Sequence, residues 1–234
     1  YCLWLVNIQP QELKKSKEIY RRVEEVRKVR SESNRKTTQE LSKFPTLFGE
    51  NRQPDTNYLL VPRVSSERRK YIPIGFMNKN VIGNDQVLLI PNANLYLFGI
   101  LTSEMHMAWV KYVCGRLKSD YRYSKDIVYN NYPFPENITD KQKQTVETCA
   151  QAVLDTRVKY PDSSLADLYD PLTMPPDLLK AHQKLDKAVD LCYRPQPFTS
   201  ELNRIEYLFE LYEKLTAPLL STSKQKTTKR KNRQ

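Results

Sequence analysis

Hydrophobic residues recur at steps of three and four through the middle of the chain, the spacing of one face of an α-helix. The pattern predicts a buried helix whose core face contains Leu97, Leu101, Met105, Ala108, Trp109, Tyr112 and Val113. Asn92 or Asn94 can cap its start. Gly115 can cap its end, because a residue without Cβ takes a positive φ at little cost.

Similar stripes predict helices on both sides of this one. A charged helix from Pro10 to about Asn34 alternates cations with glutamates, which indicates either a solvated helix with internal ion pairs or a phosphate-binding face. Thr139 and Gln142 form a capping-box pattern. Two further stripes, over residues 178–192 and 202–215, complete a small helical lobe.

Short runs rich in Val, Ile, Leu and Tyr predict strands over residues 57–64, 70–77 and 86–90. The apolar opening, residues 1–6, indicates another strand, with Trp4 in the core. The predicted fold class is α+β: a small, mainly antiparallel sheet with flanking helices, followed by an α-helical C-terminal lobe. The expected divisions are residues 1–138, residues 139–220 and a disordered basic tail over residues 221–234.

Charge is divided unevenly between these parts. The whole chain has a net charge of +11. Residues 1–138 hold 22 Lys and Arg against 14 Asp and Glu, whereas residues 139–220 hold 10 against 13, and the tail adds six cations. A polyanion is therefore expected to meet the first part of the chain.

Composition excludes several classes of protein. No apolar run is long enough to cross a bilayer, and no signal sequence opens the chain. Four dispersed cysteines and two distant histidines predict neither a disulfide framework nor a structural metal, which fits a reducing cytoplasm. Because the chain starts at Tyr1 inside an apolar run, we expect it to be an excised piece of a longer protein.

Familiar catalytic patterns are missing from the sequence. The five glycines are too far apart for a phosphate-binding loop, and no Gly-x-Ser-x-Gly elbow occurs. Residues 131–134, Asn-Tyr-Pro-Phe, depart from the Asn-Pro-Pro-Tyr/Phe motif of amino-methylating enzymes, because Tyr132 replaces its first proline. His182 lies on an apolar stripe and is expected to be a satisfied core residue. The fragment alone is predicted to have no catalysis, no small-molecule substrate and no cofactor.

Cations alternate with tyrosines in the segment that follows the central helix, and three more cations lie together at residues 68–70. Cations neutralise phosphates, and guanidinium groups address base edges, so this alternation indicates nucleic acid. The predicted DNA-binding residues are Arg68, Arg69, Lys70, Lys111, Arg116, Lys118, Tyr121, Arg122, Tyr123 and Lys125. Reserve candidates for base readout are Ser65, Ser66, Glu67, Glu104 and His106. The simpler alternatives are an exposed turn at residues 65–70 and a surface or hydrogen-bonded histidine at position 106.

Several longer motifs resemble, in order, the C-terminal part of MmeI-like type IIL (type IIG) restriction-modification enzymes and their class I DNA methyltransferase relatives. They occupy residues 1–5, 64–76, 105–109, 114–124, 132–135 and 166–171. The resemblance implies a target recognition domain followed by a C-terminal helical domain. It implies a parent with an S-adenosylmethionine-dependent adenine-N6 methyltransferase domain upstream and, in this family, an N-terminal nuclease.

On this resemblance we expect a sequence-specific reader of double-stranded DNA, which also contacts the parent's methyltransferase domain in a bacterial or archaeal cytoplasm. Such a module would hold the duplex while the parent flips the target adenine. Two alternatives stay open from the residues themselves. One is an RNA-binding module, because basic and aromatic loops also suit single strands. The other is a protein-docking module whose charge keeps it in solution.

Overall fold

The computed structural model describes the backbone of residues 2–231 and the side chains of residues 2–217. Two compact units make up the chain, Tyr1–Gln53 and Pro54–Gln234. The predicted α+β class is confirmed, since two small antiparallel sheets of three strands precede a helical C-terminal region. None of the helices described is both long and apolar enough to span a membrane.

The first unit is helical, with α1 (Pro10–Lys15), α2 (Lys17–Ser31), α3 (Lys36–Glu40) and a single 3-10 turn (Leu41–Lys43). The predicted charged helix is broken at Ser16, whose extended backbone ends α1 and whose side chain caps α2. Along α2, Glu18 pairs with Arg21 and Arg22, which supports the interpretation of a solvated helix with ion pairs.

The opening strand was a wrong prediction: residues 2–9 contain no strand. Trp4 is not a core residue either, since 37% of it is exposed and its ring stacks on Phe48 with centroids 5.7 Å apart. Val23 is the buried hydrophobic residue of the described part of this unit. An apolar run alone therefore did not decide between a strand and an irregular segment.

In its described residues, the second unit contains six strands: β1 (Tyr58–Pro62), β2 (Val64–Ser65), β3 (Gly75–Met77), β4 (Val87–Pro91), β5 (Gly115–Leu117) and β6 (Asp120–Arg122). One sheet has the order β3-β1-β4 and the other the order β2-β6-β5, and all pairs are antiparallel. The predicted strands over residues 57–64 and 86–90 correspond closely to β1 and β4. Of the predicted strand over residues 70–77, only β3 forms.

The helices of this unit are α4 (Leu95–Leu101), α5 (Glu104–Val113), α6 (Asp140–Val158), α7 (Leu165–Leu168), α8 (Pro176–Tyr193) and α9 (Glu201–Lys231), with a single π-helical turn at Lys125–Tyr129. The predicted central helix is thus two helices. Asn94 caps the first by accepting from the Leu97 amide at 2.8 Å, and Ser103 caps the second. The predicted capping box at Thr139 and Gln142 is confirmed.

A continuous core joins the sheets to the helices. Its fully buried members include Leu59, Ile74, Phe98, Met105, Val146, Leu178, Leu185 and Leu208. Trp109, at 2% exposure, lies in this core as predicted, and its indole nitrogen donates to the Val128 carbonyl at 3.0 Å. Buried core residues come from both sides of the predicted boundary between residues 138 and 139, and both sides lie in one compact unit. The boundary therefore stays a prediction.

The prediction of a disordered tail concerns residues 221–234. The backbone of α9 is helical through Lys231, and the side chains from residue 218 onward lie outside the described part of the chain. The tail therefore stays a prediction.

Candidate nucleic-acid interface

The sheet β2-β6-β5 brings the two predicted basic segments together. Ser65 on β2 lies opposite Tyr121 on β6, and Arg116 on β5 lies opposite Tyr121 on its other side. The segment that follows α5, predicted as a loop, is therefore a β-hairpin. Gly115 does not cap α5, because Cys114 is already extended and Gly115 is the first residue of β5.

The hairpin turns sharply at its tip, where Lys118 has a φ of 55°. Arg116 stabilises this turn: its guanidinium group donates to the Ser119 carbonyl at 3.0 Å and to the Lys111 carbonyl at 3.3 Å. The same group lies 4.3 Å from the centroid of the Tyr121 ring, within cation–π range. Arg116 thus uses its donors within the protein and shapes the hairpin.

Alternation along the strands gives this sheet two faces. Ser65, Arg116 and Tyr121 share one face, and the buried Ser65 and Tyr121 show that it is directed into the protein. The opposite face, which we call the outward face, consists of Val64, Gly115, Leu117, Asp120 and Arg122. The strands thereby divide the predicted contacts into residues that support the sheet and residues that can reach a ligand.

Four predicted contact residues are corrected by their burial: Ser65, His106, Tyr121 and Tyr123. The His106 Nε2 and Tyr123 hydroxyl are 2.9 Å apart in the core, and burial lowers the pKa of His106 to about 3. Tyr121 donates its hydroxyl hydrogen to the Glu67 carbonyl at 3.3 Å. A buried side chain cannot contact a DNA base. These four residues therefore support the surrounding fold and do not bind DNA directly.

The loop between β2 and β3 is held at several points. The Glu67 amide donates to Asp120 Oδ1 at 3.3 Å, and Arg69 donates to the Ala166 carbonyl at 3.4 Å. The Arg68 guanidinium nitrogen Nη2 lies 3.9 Å from Asp170 Oδ2. The loop is therefore joined both to the hairpin and to the segment containing α7.

Half of the eight predicted cations have anionic partners, Arg68 among them. Lys70 pairs with Glu104, Lys111 with Glu201, and Lys125 with Asp126. Within the described part of the chain, Lys118 and Arg122 are exposed and form no ion pair. Since exposed ion pairs are weak, the paired cations can still exchange partners, but the two hairpin cations are already available.

A chain of charges runs from the loop into the C-terminal helices. Lys70 contacts Glu104 at 2.6 Å, Glu104 contacts Arg204 at 3.3 Å, and Arg204 contacts Asp190 at 2.7 Å. We call these four residues the ion chain. It places Glu104, a predicted base-reading residue, in a structural role.

Asp186 lies buried beside the ion chain. It accepts from the Tyr71 hydroxyl at 2.7 Å and from the Glu104 amide at 2.8 Å, at the first turn of α5. Burial, together with the charge of Glu104, raises the pKa of Asp186 to about 7. His182 stacks on Tyr71 with ring centroids 4.1 Å apart, and its Nε2 is 2.6 Å from the Tyr169 hydroxyl. It is a buried core residue as predicted, but only half satisfied, because its Nδ1 has no hydrogen-bond partner among the described residues.

Comparison with known protein families gives two adjacent matches. The family described as "MmeI, target recognition domain" matches residues 1–136, and "MmeI, C-terminal domain" matches residues 138–220. The chain belongs to the MmeI family. Its predicted order of a recognition domain followed by a C-terminal helical domain is the order in which these two MmeI models match.

Two longer relatives extend the comparison. DNA methyltransferase A of Bacillus subtilis (strain 168) is 40% identical over 216 residues, which are 92% of this chain and 24% of the relative. The structure of the type IIL restriction-modification enzyme MmeI in complex with DNA matches with a TM-score of 0.87 and 45% identity, over 92% of this chain and 29% of that one. The chain thus spans about a quarter of the length of these MmeI-family relatives.

Sequence reasoning missed four residues of this MmeI-family sheet. Val64, Leu117 and Asp120 lie on the outward face, and Arg63 joins the two sheets through backbone bonds to Gln86 and Tyr123 at 3.0 and 2.8 Å. Arg63 had a signal, since it is a cation inside the predicted apolar strand over residues 57–64. The other three had none, because the face that a strand residue occupies depends on a register that the sequence does not display.

Proposed function

We propose that this chain is the double-stranded DNA recognition module of a restriction-modification DNA methyltransferase, and that it positions DNA for adenine-N6 methylation by another domain of its parent. The observation that carries the proposal is the outward face of the sheet β2-β6-β5, with Lys118 and Arg122 exposed and without ion pairs among the described residues. Support comes from the 45% identity to an enzyme whose structure was solved with DNA.

The hairpin is a kind of element that a DNA groove can hold. A two-stranded ribbon enters the major groove of B-DNA, where an arginine fork recognises guanine and discriminates by about 1–3 kcal/mol. Arg122 is the residue on this ribbon with that chemistry, and Lys118 at the tip suits a phosphate. Arg116 and Tyr121 hold the ribbon in shape, as their contacts indicate.

The chemical step belongs to the parent in this proposal. S-adenosylmethionine would bind in the methyltransferase domain, and the DNA would lie between that domain and this one. The module would keep hold of the duplex while the adenine leaves its pair. A DNA ligand and a bacterial relative support a cytoplasmic location.

Titration of the full-length protein that carries this chain with short duplex DNA tests the proposal. Lys118→Ala is expected to weaken binding to all sequences and to lower the salt dependence by about one phosphate contact. Arg122→Ala is expected to relax discrimination at one base pair. Lys143→Ala, an exposed lysine on α6, is the matched control for loss of charge.

Two results would overturn the proposal. One is that neither hairpin variant changes DNA affinity more than Lys143→Ala does. The other is that duplex RNA of the same sequence binds equally well or better, since that would favour the RNA-binding alternative.

A further inference from the structure

The outward face contains a row of three residues in register across its strands. Arg122 on the central strand β6 is flanked by Val64 on β2 and by Gly115 on β5. Arg122 is exposed, and β5 is an edge strand. The absent side chain at Gly115 therefore leaves a gap beside the base of the Arg122 side chain, which the proposed function assigns to base recognition.

Nothing within the described protein requires glycine at position 115. Its φ is not positive, so an L-residue would adopt the same backbone. A Cβ built there would meet only Arg122, with Cβ at 3.8 Å and the carbonyl oxygen at 3.9 Å, which are ordinary contacts. Glycine also weakens a strand relative to alanine.

Gly99 shows what an internally required glycine looks like in the same chain. A Cβ on that residue of α4 would lie 2.7 Å from Val146 Cγ1 and 3.3 Å from Ala150 Cβ, both on α6. Gly99 thus serves close packing between two helices. Gly115 is exposed and has room for a side chain, and glycine in a strand often marks the place where a ligand or another backbone comes close.

We propose that Gly115 is the point at which bound duplex DNA comes closest to this sheet, with a nucleotide lying against the backbone of β5 beside Arg122. This proposal rests on the proposed function. Leu117, which shares the outward face and is 51% exposed, extends the contact with an apolar surface that suits a thymine methyl group. Gly115 accordingly contributes to DNA affinity through the space it leaves.

A graded series at this position tests the proposal in the full-length protein. Gly115→Ala is expected to reduce affinity for a random-sequence DNA duplex by roughly tenfold, the cost of displacing one close contact, and Gly115→Val by more. The melting temperature of the DNA-free Gly115→Ala variant should be unchanged or slightly raised, because alanine suits a strand better than glycine. Gly49→Ala, an exposed glycine in the first unit, is the matched control and should keep wild-type affinity.

The outcomes separate this proposal from the proposed function. If Lys118→Ala and Arg122→Ala weaken DNA binding but Gly115→Ala and Gly115→Val do not, the close approach is wrong and the recognition module stands. If the wild-type protein does not bind duplex DNA, the proposed function itself fails. A melting temperature that falls by several degrees in DNA-free Gly115→Ala would also overturn the close approach, since the gap would then be filled by protein.

Discussion

Arg157 is a buried cation that the core holds without a carboxylate partner among the described residues. Its guanidinium group donates to the Ile74 carbonyl at 2.8 Å and to the Tyr169 hydroxyl at 2.9 Å. The Phe98 ring lies 5.2 Å away, within cation–π range. One planar fork thus joins α6 to the segment before β3 and to the end of α7.

Removal of the Arg157 guanidinium group should destabilise the protein. Arg157→Ala leaves the Ile74 carbonyl and the Tyr169 hydroxyl without their donor. Because each unsatisfied buried group costs about 1–3 kcal/mol, we expect the free energy of unfolding to fall by about 2–6 kcal/mol. Arg157→Lys should not restore it, because an ammonium group cannot reproduce the fork. Urea titration followed by circular dichroism measures both. Lys159→Ala, two residues away and exposed, should change stability by less than about 1 kcal/mol, and an equal loss there would contradict this account.

Asp186 makes stability depend on pH. Its pKa is about 7 in the folded protein, against about 3.9 for an ordinary aspartate in an unfolded chain. Between those values the folded state binds more protons than the unfolded state, so its contribution to stability falls as pH rises from 4 to 7 and is constant above. Glu104 and Asp190 add negative charge nearby, and Lys70 and Arg204 add positive charge.

Asp186→Asn should remove this part of the pH dependence. Between pH 5 and pH 8 the wild-type protein is expected to lose about 2–3 kcal/mol more stability than the variant, since each unit of pKa difference is worth about 1.4 kcal/mol. Urea midpoints at the two pH values give the comparison, with Asp162→Asn as the exposed control. Parallel pH profiles for wild type and Asp186→Asn would show that the carboxyl group is not perturbed.

At the scale of elements, the contact between α4 and α6 depends on Gly99. A side chain there would meet Val146, whose branched Cβ gives it little freedom to move aside. Overpacking of a core costs about 1–3 kcal/mol, which opposes the gain of about 1 kcal/mol that alanine brings to a helix.

Two substitutions at Gly99 separate these effects. Gly99→Ala should be close to neutral or mildly destabilising, and Gly99→Val should lower the free energy of unfolding by at least about 2 kcal/mol. Differential scanning calorimetry with chemical denaturation measures both. A Gly99→Val protein as stable as wild type would mean that α4 and α6 do not pack at this position.

Helices with a capping residue and strands with an apolar run could be predicted from the sequence. The capping box at Thr139, the Asn94 cap and the apolar runs of β1 and β4 were all visible in the sequence. The hairpin β5–β6 was not visible, because its three-residue strands carry charges and β5 is exposed throughout. Its formation depends on pairing with β2, some fifty residues earlier, which periodicity within one segment does not report.

The same limit applied to the candidate site. Cations and tyrosines correctly indicated the segments that come together, but every second strand residue faces inward. His106 looked polar in its helix and is buried, and nothing nearby in the sequence indicated this, because Tyr123, the partner of its Nε2, lies seventeen positions along the chain. Which cations have partners is likewise a property of the folded chain, as the pair of Lys111 with Glu201 shows.

At the scale of the whole molecule, charge separates the two family-matched segments. The surplus of +8 in residues 1–138 contrasts with −3 in residues 139–220. A protein that neutralises three phosphates should bind duplex DNA about 40-fold more weakly at 200 mM than at 50 mM salt. Fluorescence anisotropy across that range measures the slope. A slope near zero would mean that phosphate contacts contribute little to binding by the full-length protein.

The ion chain has a practical meaning for building chimeras. Lys70 and Glu104 lie in the segment that matches the recognition family, whereas Arg204 and Asp190 lie in the segment that matches the C-terminal family. In a chimera joined at residue 137, the C-terminal segment would come from a different protein. The half-buried Glu104 carboxylate would then lose its ion pair with Arg204. DNA specificity would be transferred between relatives with less loss of stability if residues 1–136 and 138–220 were transplanted together.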